Sequence, residues 1–302
     1  MAGAAMCAPR RIAFVLAGAV YTVERTDTVA SFAQHVVNPL GTHAQSAVFV
    51  NLVVARARGS NARADHAGLA ALVASLRAFT VQLGGVSVRA EDATEGRFAP
   101  EAPARCAWGC ARRPTTGGRD AQYCAFAAKL VTHWWGRMAL AWDMITSWER
   151  EAGRLRFESV LLSRPDLVHT ATLDRPCAYD TTRYWYSAIS PPDALWYFSR
   201  PVARDAMNTI RLLVRNNTHR CSTERPSSYA FSWFALCHWA RQRWGSGLRV
   251  RLFEGVRASV VVRQGSAAVR DVNAGRSGVR KPDGYTLSTR PSGLGGMHCG
   301  WF

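Results

Sequence analysis

Short apolar runs that alternate with segments of helical periodicity constrain the fold of this chain most. Ile12–Val20 and Ala47–Val54 are almost wholly apolar, as is typical of strands buried on both faces of a parallel sheet. A helix that ends before Pro39 follows the first run, and His66–Phe79 carries apolar residues at helical spacing after the second. Alternation of this kind predicts an α/β fold, a three-layer sandwich with a mainly parallel central sheet.

The second half of the chain continues with less regular elements. The longest predicted helix runs from about Ala121 to Ala152 and stops before Gly153, a natural helix end. Pro201 suits the first turn of a further helix, because its missing N–H is not needed there. The other predicted elements are the strands Val86–Val88, Phe157–Leu162, Tyr184–Ile189, Leu195–Ser199, Val250–Phe253 and Ala258–Arg263, and a helix over Ser228–Arg243.

The chain of 302 residues is long enough for one large domain. Residues 89–119 lack any hydrophobic period and predict a long loop. From residue 264 onward Gly, Ser, Arg and Pro dominate, which predicts a disordered tail over 264–302. We therefore expect a single α/β domain over residues 1–263.

The net charge of +17 indicates a partner that is some anion. Only Lys129 and Lys281 are lysines, so arginine supplies nearly all of the 38 basic residues, and the arginines are scattered rather than grouped in a block. Arginine binds phosphate with a planar, bidentate fork. A small phosphate-bearing ligand is favoured and no nucleic acid is expected, while an arginine-rich nucleic-acid-binding protein stays as an alternative.

The amino-terminal segment leaves the compartment open. Arg10-Arg11 before a short apolar run resembles a signal peptide, although the helical pattern that follows favours a first strand over Ile12–Val20. Eight cysteines suit disulfides in a secretory compartment or buried free thiols equally well. No stretch reaches the roughly 20 apolar residues of a membrane span. The secretory pathway or Golgi lumen is the predicted location, and the cytoplasm is the alternative.

The end of the strand Phe157–Leu162 carries the most specific chemistry. Pro165 fixes its own φ and pushes Arg164 toward an extended conformation, so a stiff turn presents Arg164 and Asp166. A carboxylate held in this way can ligate a hard divalent cation together with substrate phosphates. The alternative is that both side chains pair with neighbours and only close the strand end.

The residues before and after this turn resemble a group of glycosyltransferase-like proteins of algae and plants that carry an R-x-R-P-D type box. The resemblance extends to Ile12–Gly18, Val48–Asn51 and Asp193–Arg200 (DALWYFSR). The residues that carry it most directly are Lys129, Trp134, Met138, Trp142-Asp143-Met144-Ile145, Trp148-Glu149, Gly153 and Arg164-Pro165-Asp166.

The resemblance implies a GT-A-like fold and transfer of a sugar from a nucleotide-sugar donor to a glycan, protein or lipid acceptor. It implies that Asp166 binds a divalent metal, Mn or Mg, and that Arg164, Arg200 and Gly18 lie at the donor phosphates. Asp193 would be the catalytic base that deprotonates the acceptor hydroxyl.

Two observations keep alternatives open. Leu162 stands where the box has its first arginine, which is compatible with a non-catalytic member of the same fold that acts as a binding module. Asp193 follows Pro191-Pro192 and could equally be a turn residue.

Overall fold

The structure is a computed structural model of the full chain, and part of the chain can be described. The described residues are 10–19, 26–41, 46–55, 74, 77, 82–91, 136–151, 153, 156–165, 167–169, 171–187, 195–208, 249–253 and 258–260.

A seven-stranded sheet forms the centre of the described part of the chain, in the order β3-β2-β1-β4-β7-β6-β8. Six of its strands run in one direction and β7 is reversed, pairing antiparallel with β4 and β6. The two remaining strands, β5 and β9, form a separate antiparallel pair. The strands are β1 (Ile12–Ala19), β2 (Ala47–Ala55), β3 (Gln82–Glu91), β4 (Ser159–Ser163), β5 (Leu167–His169), β6 (Tyr184–Ser187), β7 (Leu195–Ser199), β8 (Arg249–Leu252) and β9 (Ala258–Val260).

Helices cover both faces of the sheet. The first face packs against α1 (Thr26–Phe32), a π-helical turn (Ala33–Val37) and α2 (Asn38–Gly41). The second face packs against α3 (Gly136–Glu151) and α4 (Arg200–Met207). A short 3-10 turn spans Pro176–Ala178. The predicted α/β class, with three layers and a mainly parallel sheet, is confirmed.

Each face of the sheet has its own apolar core, because side chains alternate between the faces of a strand. On β4, Leu161 joins the core under α1, whereas Val160 and Leu162 join the core under α3 and α4. All five residues of β4 are buried. The continuous apolar run in the sequence therefore reflects a strand covered on both sides.

The predicted strand ends differ little from the observed ones, except in β3. The predicted strand Val86–Val88 is part of a ten-residue strand, which begins before Gly84-Gly85 and also includes 89–91 of the predicted loop. A Cβ on Gly84 would come within 2.6 Å of Phe49 Cζ. Glycine is needed there because any side chain at position 84 would clash with the Phe49 ring of the adjacent strand.

Two further differences have local causes. Pro39 does not end the helical segment, because the π-helical turn ends at Val37 and Pro39 lies in the first turn of α2, where no backbone donor is required. The strand β5 was missed, since three residues are too short to show a period.

Several predicted ranges lie mainly outside the described residues, namely the helix over 66–79, the first half of the helix over 121–152, the rest of the loop to residue 119, the helix over 228–243 and the tail. Ala74 and Arg77 are described and are helical. Among the described helices, none combines the length and the apolar character that a bilayer crossing requires.

Candidate functional site at the carboxyl end of β4

The connectivity of the sheet marks one position where a ligand is expected to bind. From β1 the chain proceeds outward to β2 and β3, and it then returns to β4 on the other side of β1. Neighbouring parallel strands whose connections leave in opposite directions open a crevice beyond their carboxyl ends. In this sheet that switch point lies between β1 and β4, and the Arg-Pro-Asp turn directly follows β4.

The turn begins where the ladder between β1 and β4 ends. Leu16 and Ser163 are the last paired residues of these two strands, whereas β1 stays paired with β2 as far as Ala19. Pro165 has no N–H and cannot extend the ladder. The chain therefore leaves the sheet at Arg164, at the switch point.

Gly18 lies against this turn. A Cβ on Gly18 would stand 2.6 Å from Cδ and 3.0 Å from Cγ of Pro165, closer than carbon atoms can approach without a shift. Both residues are buried. The sequence resemblance assigned Gly18 to the donor phosphates, but the space that this glycine leaves is filled by the Pro165 ring.

The other predicted residues of the turn are described in part. Arg164 is half-buried and engages in an interaction within the chain. The predicted metal ligand Asp166 and the predicted base Asp193 both lie outside the described residues. Their roles remain predictions.

The structure does not bring Arg200 to the same edge. Ser199 pairs with Ser159 at the amino end of β4, and the Arg200 N–H donates to the carbonyl of Glu158 at 2.9 Å. Because β7 is antiparallel, Arg200 lies opposite Glu158, six residues before Arg164, so about 20 Å of strand separates the two arginines.

Arg200 instead belongs to a buried cluster under the second face of the sheet. Its guanidinium contacts both carboxylate oxygens of Glu149 at 2.5 and 2.7 Å and lies 5.0 Å from the centre of the Trp142 ring. Oε1 of Glu149 also accepts the Phe157 N–H at 3.0 Å. Bidentate geometry, burial and the aromatic contact together fix α3 to the start of α4. Arg200 therefore has a structural partner set away from the switch point.

A polar cluster lies behind the turn, on the first face of the sheet, and sequence reasoning missed it. The ring Nε2 of His169 lies 3.3 Å from Ser163 Oγ, and the backbone N–H of His169 donates to Ser31 Oγ at 3.1 Å. Ser31 Oγ in turn donates to the Thr28 carbonyl in α1. In the sequence, His169 is a candidate metal ligand three residues after Asp166 or an exposed histidine, and the structure buries it instead.

Burial controls the protonation of His169. The side chain is 2% exposed, and its removal from water lowers the pKa of His169 to about 3, with the nearby His35 contributing in the same direction. The imidazole is therefore neutral at physiological pH. It acts as a hydrogen-bonding group and carries no charge.

The positive charge of the described residues is partly offset within the chain. Arg11 pairs with Glu158, Arg183 with Asp180, and Arg204 with Asp205, besides the Arg200 pair. Within the same residues, no group of three or more His, Cys, Asp or Glu side chains could hold a metal ion. The expectation that no nucleic acid binds stays a prediction.

Comparison with known proteins gives a weak structural likeness. Neither a protein-family model nor a curated protein matches the sequence. The fold is similar to the apo form of mouse xyloside xylosyltransferase 1, with a TM-score of 0.30 and 7% sequence identity, over 81% of this chain and 85% of that chain. A likeness at this TM-score is too weak to carry conclusions about fold or function.

Proposed function

We propose that the chain is a GT-A-like glycosyltransferase that moves a sugar from a nucleotide-sugar donor to an acceptor. The observation that supports this most is the position of the Arg-Pro-Asp turn. It leaves the sheet at the switch point between β1 and β4, where α/β sheets bind ligands. The sequence resemblance around Arg164-Pro165-Asp166 supplies the reaction class.

Within this proposal, each residue of the turn has a distinct part. Arg164 lies at the end of β4 and orients the donor phosphates through its guanidinium. Asp166 is the protein ligand of a divalent metal, Mn or Mg, which often takes only one or two protein carboxylates together with phosphate oxygens. When bound, that metal would offset the negative charge of the departing nucleoside diphosphate.

The other residues implied by the resemblance are treated differently. Asp193 is retained as the proposed base for the acceptor hydroxyl. Arg200 is left out of the donor site, since its guanidinium is held by Glu149 near the amino end of β4. Gly18 is retained for its contact with Pro165 and not as a phosphate ligand.

A secretory or Golgi location is part of the proposal. Cys177 is disulfide-bonded, and its partner is one of the other seven cysteines, all of which lie outside the described residues. Structural disulfides persist mainly in oxidising compartments. A glycan, protein or lipid acceptor in such a lumen is consistent with this bond.

Calorimetric titration with a panel of nucleoside diphosphate sugars in the presence of manganese tests the proposal. We expect the wild-type protein to bind at least one of them, and Asp166→Asn to weaken binding by about tenfold or more through the loss of one charged metal ligand. The matched control is Asp174→Asn, which changes an exposed carboxyl group in the segment that follows β5.

Two results would contradict the proposal. One is that the wild-type protein binds no member of the panel. The other is that Asp166→Asn and Asp174→Asn bind as tightly as the wild type.

A second candidate is a non-catalytic member of this fold that binds a nucleotide sugar without transferring it. It is favoured by Leu162, which replaces the first arginine of the box and is buried in the core under α3 and α4. This candidate predicts binding in the titration but no release of nucleoside diphosphate when acceptor mixtures are added. Measured release of the diphosphate would exclude it.

A further inference from the structure

The chain that follows β4 is fastened to the fold at two places. On one side the Pro165 ring fills the space that Gly18 leaves beside β1. On the other side His169, the last residue of β5, lies against Ser163 at the end of β4.

The side chains of His169 and Ser163 connect the ends of β5 and β4. Nε2 of His169 lies 3.3 Å from Oγ of Ser163, and the same hydroxyl lies 3.4 Å from the Arg164 carbonyl. Both side chains are at least 98% buried. Water therefore does not compete for the hydrogen bond between His169 and Ser163, which makes it more specific than a surface contact of the same length.

His169 also connects the end of β5 to α1. Its backbone N–H donates to Ser31 Oγ at 3.1 Å, and its ring lies 5.7 Å from the ring of Phe32 in a tilted arrangement. A single residue thus joins the end of β4, the end of β5 and the helix that covers this face of the sheet.

Nδ1 of His169 is buried and has no hydrogen-bond partner among the residues that the structure describes. An unsatisfied buried nitrogen has an energetic cost that an apolar residue of similar shape would avoid. Packing alone therefore does not account for a histidine at this position, and the Nε2 contact to Ser163 is what an apolar residue could not supply.

We propose that His169 is a positioning residue that holds the turn at Arg164 and Pro165 in place through its hydrogen bond to Ser163. This proposal rests on the function proposed above, because Arg164 is one of the proposed donor-binding residues. The neutral imidazole contacts no ligand itself, because it is buried beneath the turn. Its pKa, lowered by burial, keeps this hydrogen-bonding form throughout the physiological range.

Amide hydrogen exchange measured by NMR on the free protein tests the proposal without any ligand. In His169→Phe, which keeps a ring but has no donor or acceptor, we expect the amide of Arg164 to exchange about tenfold faster or more. Exchange in β1 and β2 should be unchanged. His169→Gln, whose side-chain amide can again reach Ser163, should restore slow exchange at the turn.

Ser163→Ala provides a second variant that removes only a hydroxyl group, in case the phenylalanine variant does not fold. It should accelerate exchange at Arg164 to a similar degree, and combining it with His169→Phe should add little, because both substitutions remove the same contact. The matched control is His35→Gln, because His35 lies on the same face of the sheet and forms a hydrogen bond with Thr172. This substitution should not change exchange at the turn.

Unchanged exchange at the turn in both His169→Phe and Ser163→Ala would overturn the proposal, as would acceleration spread evenly over β1, β2 and β4. Titration of the same variants with manganese and the donor panel separates the two proposals. If the wild-type protein binds no donor while His169→Phe still loosens the turn, the glycosyltransferase proposal fails and the positioning role stands.

Discussion

The Pro165 ring occupies the place where Gly18 would otherwise carry a side chain, with 2.6 Å between Pro165 Cδ and the position of a Cβ at Gly18. This contact joins the end of β1 to the turn after β4, at the switch point of the sheet. It gives Gly18 a steric role in shaping the edge of the candidate site.

Gly18→Ala is expected to destabilise the protein by about 1–3 kcal/mol, because an added methyl group in a filled space forces its neighbours apart. In a Pro165→Ala background the same substitution should cost much less, since the ring that opposes the methyl is gone. Urea unfolding of the two single variants and the double variant measures this coupling.

Gly85→Ala is the matched control for that cycle. Its Cβ would stand 3.3 Å from Met144 Cε, the flexible end of a long side chain. We therefore expect a smaller loss of unfolding free energy than for Gly18→Ala. If Gly18→Ala lowers the unfolding free energy by the same amount with and without the Pro165 ring, the contact does not govern the position of the turn.

The Arg200–Glu149 pair is expected to be structural. Glu149→Gln should keep the acceptor for Phe157 N–H but leave the Arg200 charge without its carboxylate partner, at a cost of about 3 kcal/mol in unfolding free energy. Joint replacement, Glu149→Gln with Arg200→Met, should recover much of that loss, because the acceptor of the Phe157 N–H is kept and no buried charge is left unpaired. Denaturant unfolding compares the three proteins.

The same double variant also tests the phosphate-binding role that the resemblance assigned to Arg200. If the role of Arg200 is structural, donor affinity in calorimetry is the same for the double variant and the wild type. A clear loss of donor affinity with stability retained would instead return Arg200 to the donor site.

Stability should depend on pH through His169. Its pKa is about 3 in the folded protein, against 6.5 for a histidine in water, so between these values the unfolded chain binds a proton that the folded chain does not. Stability is therefore lost as the pH falls below about 6.5, and from pH 7 to pH 5 the loss from this group is about 2 kcal/mol. Urea unfolding at the two pH values measures it.

His169→Phe should remove this part of the pH dependence, whereas His35→Gln should retain most of it, because burial is the main cause of the low pKa of His169 and the charge of His35 is the smaller one. The same slope between pH 7 and pH 5 in the wild type and in His169→Phe would contradict the assignment.

The Cys177 disulfide predicts a difference between reduced and oxidised protein. Cys177→Ser should lower the unfolding free energy by about 2–4 kcal/mol, because the bond restricts the unfolded chain. Peptide mapping under non-reducing conditions identifies the partner cysteine. A free thiol at Cys177 in protein purified from an oxidising compartment would refute the bond and remove its support for a secretory location.

The sequence by itself determined the class of the fold and the place of the turn. Residues 12–17 of β1 and all of β4 (Ser159–Ser163) are buried on both faces of the sheet. A strand that is buried on both faces needs apolar residues at most of its positions, so the sequence alone shows it as an apolar run. Leu195–Ser199 was predicted with its observed limits. Pro165 marked the end of β4 for an equally local reason, its missing N–H.

Only the tertiary structure decided which distant residues meet. Strand order and the reversal of β7 separate Arg200 from Arg164, and no local pattern encodes strand order. The same holds for the contact of Gly18 with Pro165 and for the hydrogen bonds of His169 with Ser163 and Ser31. These relationships depend on the packing of elements far apart in sequence, so a single sequence names the residues but not their partners.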